Sequence, residues 1–148
     1  MGIFIAPTAK APMVSLPDAR AIPGRGLEGD RYFHDAGTFS KGFEPDSELT
    51  LIESEVIDAL VREQAITLGV AEPRRNLATR DVRLNDLVGR EFMIGAVRVL
   101  GHGLCEPCAH LERVTGEALL GPLLRRGGLR AQILSGGTLR VGDVIRPV

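Results

Sequence analysis

This chain of 148 residues predicts a mostly β fold, a single domain over residues 1–148 built as a β-barrel of short strands with a few short helices. Three observations lead there. The apolar runs are short and are separated by turn residues, the pattern of strands in a sandwich or barrel. The 18 glycines and 9 prolines are spread along the chain and punctuate those runs. Only residues 53–64 carry a clear helical stripe. A chain of this length can bury a core of its own without disulfides or a metal.

In chain order, Ile3-Phe4-Ile5 and residues 11–16 are apolar segments divided by prolines, which suits short or edge strands. Residues 19–30 are turn-rich, with Pro23-Gly24-Arg25-Gly26 followed by Leu27-Glu28-Gly29-Asp30-Arg31. The irregular stretch runs on to residue 47 and reads as a candidate binding loop, since long ordered loops are often functional. A plain surface loop has the same composition. Leu49-Thr50-Leu51-Ile52 predicts a strand leading into the helix, where Val56, Ile57, Leu60 and Val61 share one face. That helix is assigned to packing. Residues 73–80 gather Arg74, Arg75 and Arg80 around Asn76. A guanidinium fork suits phosphate or carboxylate, although such a run also suits a solvated face. Residues 84–89 predict a helical turn ending at Gly89, and residues 91–94 and 97–100 predict a hairpin around Gly95-Ala96. Further on, residues 117–126 carry a leucine stripe interrupted by Pro122. A second hairpin is predicted from residues 129–134 and 139–141 around Gly136-Gly137, with Val144-Ile145 closing the chain. No repeat, linker or low-complexity tract divides it.

Sulfur and imidazole concentrate in residues 101–111, Gly-His-Gly-Leu-Cys-Glu-Pro-Cys-Ala-His-Leu. Both cysteines, Cys105 and Cys108, stand here with two of the 3 histidines, His102 and His110. Pro107 favours a stop in the preceding chain, which puts Cys108 at a helix start. Unpaired N–H groups and the helix dipole would stabilise a thiolate there. Three other readings stay open. His102, Cys105, Cys108 and His110 are potential zinc ligands, although structural sites usually draw ligand pairs from separated segments. Cys-Glu-Pro-Cys is also a dithiol pair, but without the βαβ context of a thioredoxin-like protein. Finally, free cysteines often behave as small buried hydrophobes. A c-type haem attachment is excluded, because Ala109 stands where that motif needs histidine.

Composition narrows the function classes. A net charge of −1 gives no general attraction to nucleic acid or an acidic membrane surface. No apolar run approaches the roughly 18 residues of a membrane span, and no charged start precedes an apolar leader. The expectation is a cytoplasmic protein with reduced thiols. Of 18 cationic side chains only Lys10 and Lys41 are amines, so there is little to form a Schiff base.

Taken together, four blocks of residues resemble the MOSC domain, the family named from the C-terminal part of molybdenum cofactor sulfurases. They are Leu27-Glu28-Gly29-Asp30-Arg31, Arg74-Arg75-Asn76-Leu77, the turn Leu87-Val88-Gly89 with Ile94-Gly95, and Pro107-Cys108 followed by Leu111. The closing Gly-Gly-Thr-Leu-Arg-Val-Gly-Asp at 136–143 matches as well. The resemblance runs from about residue 12 to the end, and its order and spacing carry more than any one block.

The resemblance implies a barrel-based β fold that binds molybdenum cofactor (molybdopterin) or handles the sulfur placed on its metal. Cys108, after the proline, is then the sulfur carrier or molybdenum ligand, with Cys105 as a second thiol. A soft thiolate suits either task. Arg74, Asn76 and Arg80 would clamp the cofactor's phosphate and pterin. Asp30 and Arg31 would lie on the same rim, and His102 joins the binding set. Arg75 departs from relatives that place an acidic residue before the asparagine, which makes this version more cationic. Pyridoxal phosphate is not expected, because neither Lys10 nor Lys41 lies in a convincing site. A sulfur-donor or electron-transfer protein is the partner implied, and a reductase of N-hydroxylated substrates would take its electrons from elsewhere. Two classes thus stand side by side: a cofactor-handling sulfur transferase or oxidoreductase component, and a non-catalytic module with structural zinc or a dithiol switch.

Overall fold

The computed structural model describes residues 2–5, 13–30, 48–64, 75–104 and 128–148. Eleven strands and one α-helix make up these residues, with a 3₁₀ turn at Leu84–Leu87. The strands are β1 (Gly2–Ile5), β2 (Val14–Leu16), β3 (Asp18–Ile22), β4 (Gly26–Leu27), β5 (Leu49–Glu53), β6 (Leu77–Thr79), β7 (Glu91–Ile94), β8 (Val97–Leu104), β9 (Leu129–Ser135), β10 (Gly137–Arg140) and β11 (Ile145–Pro147). Helix α1 (Ser54–Gln64) follows β5 directly.

The strands form an eight-stranded sheet in the order β11-β7-β8-β9-β5-β6-β1-β2 and a three-stranded sheet in the order β10-β3-β4. Its pairs are antiparallel except β5 with β6. The larger sheet runs open from β11 to β2, and no ladder joins those edges among the described residues. The mostly β class is therefore as expected, whereas closure into a barrel is not reached within this sheet.

A main core lies on one face, formed by Leu49, Leu51, Leu77, Val97, Val99, Leu129, Ala131 and Ile133 with residues from the smaller sheet. The central pair β5 and β6 is buried on its other face too. Phe4, Ile52, Ala78, Val56, Ile57, Ala59 and Leu60 are buried outside the main core. This explains why Leu49, Thr50, Leu51 and Ile52 of β5 are all buried, since a strand covered on both faces does not alternate. Glu55 in the first turn of α1 and Arg62 in the last complement its dipole.

Three sequence expectations need correction. The turn-rich stretch after residue 18 contains strands β3 and β4, paired through Ala21–Leu27 and Ile22–Gly26. The arginine block contains the buried strand β6, whose three residues are all inside. The second hairpin does not form: β9 pairs with β8 and β5, while β10 pairs with β3. Gly136 is a corner at which one strand passes from one sheet to the other. A side-chain carbon there would lie 2.7 Å from the Ala21 carbonyl oxygen and 2.9 Å from Pro23 Cδ, so the close approach admits only glycine. The helical stripe over 117–126 lies outside the described residues. No described helix is long and apolar enough to cross a membrane.

Candidate functional site

Strand register brings together residues that are far apart in sequence. Leu104, Leu129, Leu51 and Leu77 are mutual neighbours across β8, β9, β5 and β6. One step back along each strand, Gly103, Arg130 and Thr50 are neighbours, and Thr50 lies beside Asn76. Because side chains alternate, this second row faces away from the main core. The chain leaves β8 at Leu104 and returns to β9 at Leu129, so the segment carrying Cys105 and Cys108 is rooted at the end of this row. Both cysteines and His110 lie outside the described residues, as do Arg31 and Arg74.

Asn76 closes one end of the row. It is fully buried, and its carboxamide is turned to the protein. Its Oδ1 accepts the Thr50 backbone N–H at 3.1 Å and the Thr50 hydroxyl at 3.2 Å. Its Nδ2 donates to the Phe4 carbonyl at 3.2 Å. The residue expected to hold a ligand instead ties β1, β6 and β5 together. Its chemistry is right for binding, but the sheet has already used it.

Arg80 lies beyond the opposite end of β6 from Arg75 and Asn76, a separation of about 10 Å along a three-residue strand. Its guanidinium reaches Asp58 of α1 at 3.7 Å, with both side chains about half exposed or more. The sequence cluster 74–80 is thus divided by a strand. Arg75 stays with the row: its Nε would lie 3.6 Å from a side-chain carbon at Gly128, the residue before β9. Gly128 has φ of +121°, and a Cβ there would collide with the Leu51 carbonyl oxygen. Only glycine fits at this entry to β9 so close to β5.

His102 marks the other end. The β8–β9 register shifts between Gly101 and Gly103, which makes His102 the extra residue of a β-bulge. Bulges re-aim side chains and often stand beside active sites. His102 Nε2 meets Gln132 Oε1 at 2.8 Å on the exposed surface. Close by, the buried Glu48 holds the β3–β4 turn against β9. Its Oε1 accepts Gly24 N–H at 2.9 Å and Ile133 N–H at 3.3 Å. Burial pushes the Glu48 carboxyl above its ordinary range, opposed by those two N–H groups and by the charge of His102. Asp30 is also buried (1% exposed), so it does not stand on an open rim as expected. It closes the turn after β4 through its N–H to the Leu27 carbonyl at 3.0 Å. The neighbouring Gly29 lies against Ile5, at the end of β1 beside Asn76.

A model of the MOSC domain family matches residues 38–146. The chain belongs to the MOSC domain family. Solved structures share its fold. The YuaD protein of Bacillus subtilis superposes with a TM-score of 0.82 at 20% identity, covering 97% of this chain and 91% of that one. YiiM of Geobacillus stearothermophilus gives 0.71 at 14% identity, covering 99% of this chain and 73% of that one. YiiM of Escherichia coli gives 0.70 at 18% identity, with 100% of this chain and 70% of that one covered. At such identities the likeness concerns the fold alone. No curated protein matches the chain by sequence.

In this MOSC domain the sequence reading missed Glu48, Thr50, Arg130 and Gln132. Leu129-Arg130-Ala131-Gln132-Ile133 does alternate polar with apolar, the signal that puts Arg130 and Gln132 on the non-core face. What alternation lacks is the identity of the neighbouring strands. Among the described residues, no group of three or more His, Cys, Asp or Glu side chains is placed to hold a metal ion. A cavity of about 30 Å³ beside Gly2, Thr79, Ile94, Leu139 and Ile145 has room for a water, not for a pterin.

Proposed function

We propose that this domain binds molybdenum cofactor over the polar row and that Cys108 serves as sulfur carrier or molybdenum ligand. The supporting observation is positional: the row of Asn76, Thr50, Arg130 and Gly103, with His102 beside it, ends where the segment bearing Cys105 and Cys108 leaves the sheet. Membership of a family linked to molybdenum cofactor binding and sulfuration points the same way. The donor set fits an anionic pterin, with guanidinium groups at Arg75 and Arg130 and an imidazole at His102. On the sequence reading, Arg74 and Arg31, which lie outside the described residues, would add to its cationic side. When bound, a molybdenum centre supplies two-electron redox chemistry and exchange of sulfur or oxygen ligands. The chain's own part is to hold the anionic end with guanidinium groups and to present a soft thiolate from Cys108. A sulfur-donor protein, or an electron donor for reduction of N-hydroxylated substrates, is the partner on this reading, in the cytoplasm.

The barrel belongs to the same proposal. β2 runs into β3 through Pro17, β9 runs into β10 through Gly136, and β3 pairs with β10. The two sheets then wrap one core as a barrel whose wall passes from sheet to sheet at those corners.

The test is expression in a host that makes the cofactor, followed by molybdenum and pterin analysis of the purified protein. The wild type should retain both, and Cys108→Ser should lose the metal or its transferable sulfur. One equivalent of zinc, lost on Cys105→Ser, would instead establish the structural-metal reading.

A further inference from the structure

We infer that Arg130 is an anion-contacting residue of this face, one that no sequence motif marks and that meets a phosphate or carboxylate group. The inference rests on the proposed reading of the face and names one more residue of it.

Burial singles Arg130 out. Every described arginine is exposed except Arg75 and Arg130, which are half-buried. Exposed guanidinium groups are solvated by water and need no partner. Several have one nonetheless: Arg98 meets Glu91 at 2.6 Å, Arg83 meets Asp86 at 3.5 Å and Arg80 meets Asp58 at 3.7 Å. Arg75 is also partnered. Arg130 makes no hydrogen bond or ion pair through its guanidinium to any described residue. A partly desolvated charge without a counter-charge is costly, so the position is suited to an anion that arrives from outside.

Among the described residues, no neighbour forms an ion pair with it. Arg130 pairs across the ladders with Thr50 on β5 and Gly103 on β8. Thr50 is engaged with Asn76 in both directions. Gln132, two residues along the same face, gives its Oε1 to His102. The carboxylate of Glu48 is held by two backbone N–H groups. Gly103 contributes no side chain, and no described residue lies within 4 Å of where its Cβ would be. The register therefore sets the half-buried Arg130 between Thr50 and Gly103, beside polar groups that are already satisfied. A fork of N–H donors in such a place binds phosphate or carboxylate oxygens two at a time.

Titration with inorganic phosphate, followed by calorimetry and by the Arg Nε–H resonances of the purified chain, tests this. Phosphate should bind saturably and shift the Arg130 resonance. Arg130→Gln should weaken binding roughly ten- to a hundredfold, the usual worth of a charge-assisted contact. Arg130→Lys should recover part of it, and Arg98→Gln should bind as the wild type does. Unchanged phosphate affinity in Arg130→Gln, or no saturable binding by the wild type, would overturn the inference. The outcome is separable from the cofactor reading. A wild type that binds phosphate through Arg130 but retains no molybdenum defeats only that reading. A wild type that retains the cofactor while Arg130→Gln binds phosphate unchanged defeats only the inference about Arg130.

Discussion

Thr50 and Asn76 hold each other in both directions: the Thr50 hydroxyl donates to Asn76 Oδ1 at 3.2 Å and accepts the Asn76 backbone N–H at 3.0 Å. The pair joins two parallel strands, which the Thr79 hydroxyl also links by donating to the Ile52 carbonyl, and Asn76 extends the tie to β1 through Phe4. Substituting Asn76 by Ala leaves the buried Thr50 N–H and Phe4 carbonyl short of partners. Each such group costs about 1–3 kcal/mol. The expected result is a thermal midpoint several degrees lower, measured by calorimetry, with the cysteines no less reactive. A variant as stable as the wild type would mean that the clamp adds nothing to folding.

Glu48 should make stability depend on pH. Burial raises its pKa in the folded chain, so between the ordinary carboxylate value and the raised one the folded form binds more protons than the unfolded form. Stability must then fall as pH rises through that interval, and the penalty persists above it. Glu53 shifts in the same direction, again through burial. Glu48→Gln keeps an oxygen for Gly24 and Ile133 but cannot titrate. Denaturant midpoints from about pH 4 to about pH 7 should therefore decline less in this variant than in the wild type. Glu48→Ala, which removes the acceptor, should be destabilised at every pH. Equal slopes in the wild type and Glu48→Gln would refute the assignment.

Arg80 is expected to contribute little. Its ion pair with Asp58 is long and open to solvent, and pairs of that kind are worth about 0–1 kcal/mol. It also lies beyond the far end of β6 from Arg75. Arg80→Ala should leave the melting temperature and phosphate affinity nearly unchanged, whereas Arg74→Ala should weaken cofactor retention. Loss of retention in Arg80→Ala equal to that in Arg74→Ala would return Arg80 to the site.

The two cysteines should differ in reactivity. Cys108 follows Pro107 at a helix start expected from the sequence, where a thiolate is favoured, while Glu106 disfavours ionisation of Cys105. Peptide-resolved alkylation of the native protein near neutral pH should label Cys108 faster. Cys105→Ser should keep at least part of the sulfur transfer or metal retention that Cys108→Ser abolishes. Faster labelling of Cys105, with full function in Cys108→Ser, would reverse the assignment.

Much of the architecture can be read from local pattern. The β5–α1 unit shows it well, because an apolar run followed by Val56, Ile57 and Leu60 at helical spacing can satisfy its burial in few ways. The hairpin of β7 and β8 is equally local, since Gly95 turns the chain between partners that are adjacent in sequence. The family resemblance likewise lives in short blocks, and the family match bears it out.

Other features depended on contacts across long stretches of chain. Gly136-Gly137 has the composition of a turn, yet Ala21 and Pro23 crowd Gly136 from another strand and make it a corner. Asn76 looks like a ligand group beside arginines until Thr50, 26 residues away, takes up its oxygen. Arg130 is one polar residue of an alternating strand until β5 and β8 place it between Thr50 and Gly103, with no counter-charge among the described residues. The sequence by itself determined the strand-rich class, the helix, the family and the thiol-bearing segment, because propensity, periodicity and motif act over a few residues. Only the tertiary structure decided which polar groups were already satisfied, because a hydrogen-bond partner or counter-charge in a sheet comes from whichever strand the register puts alongside.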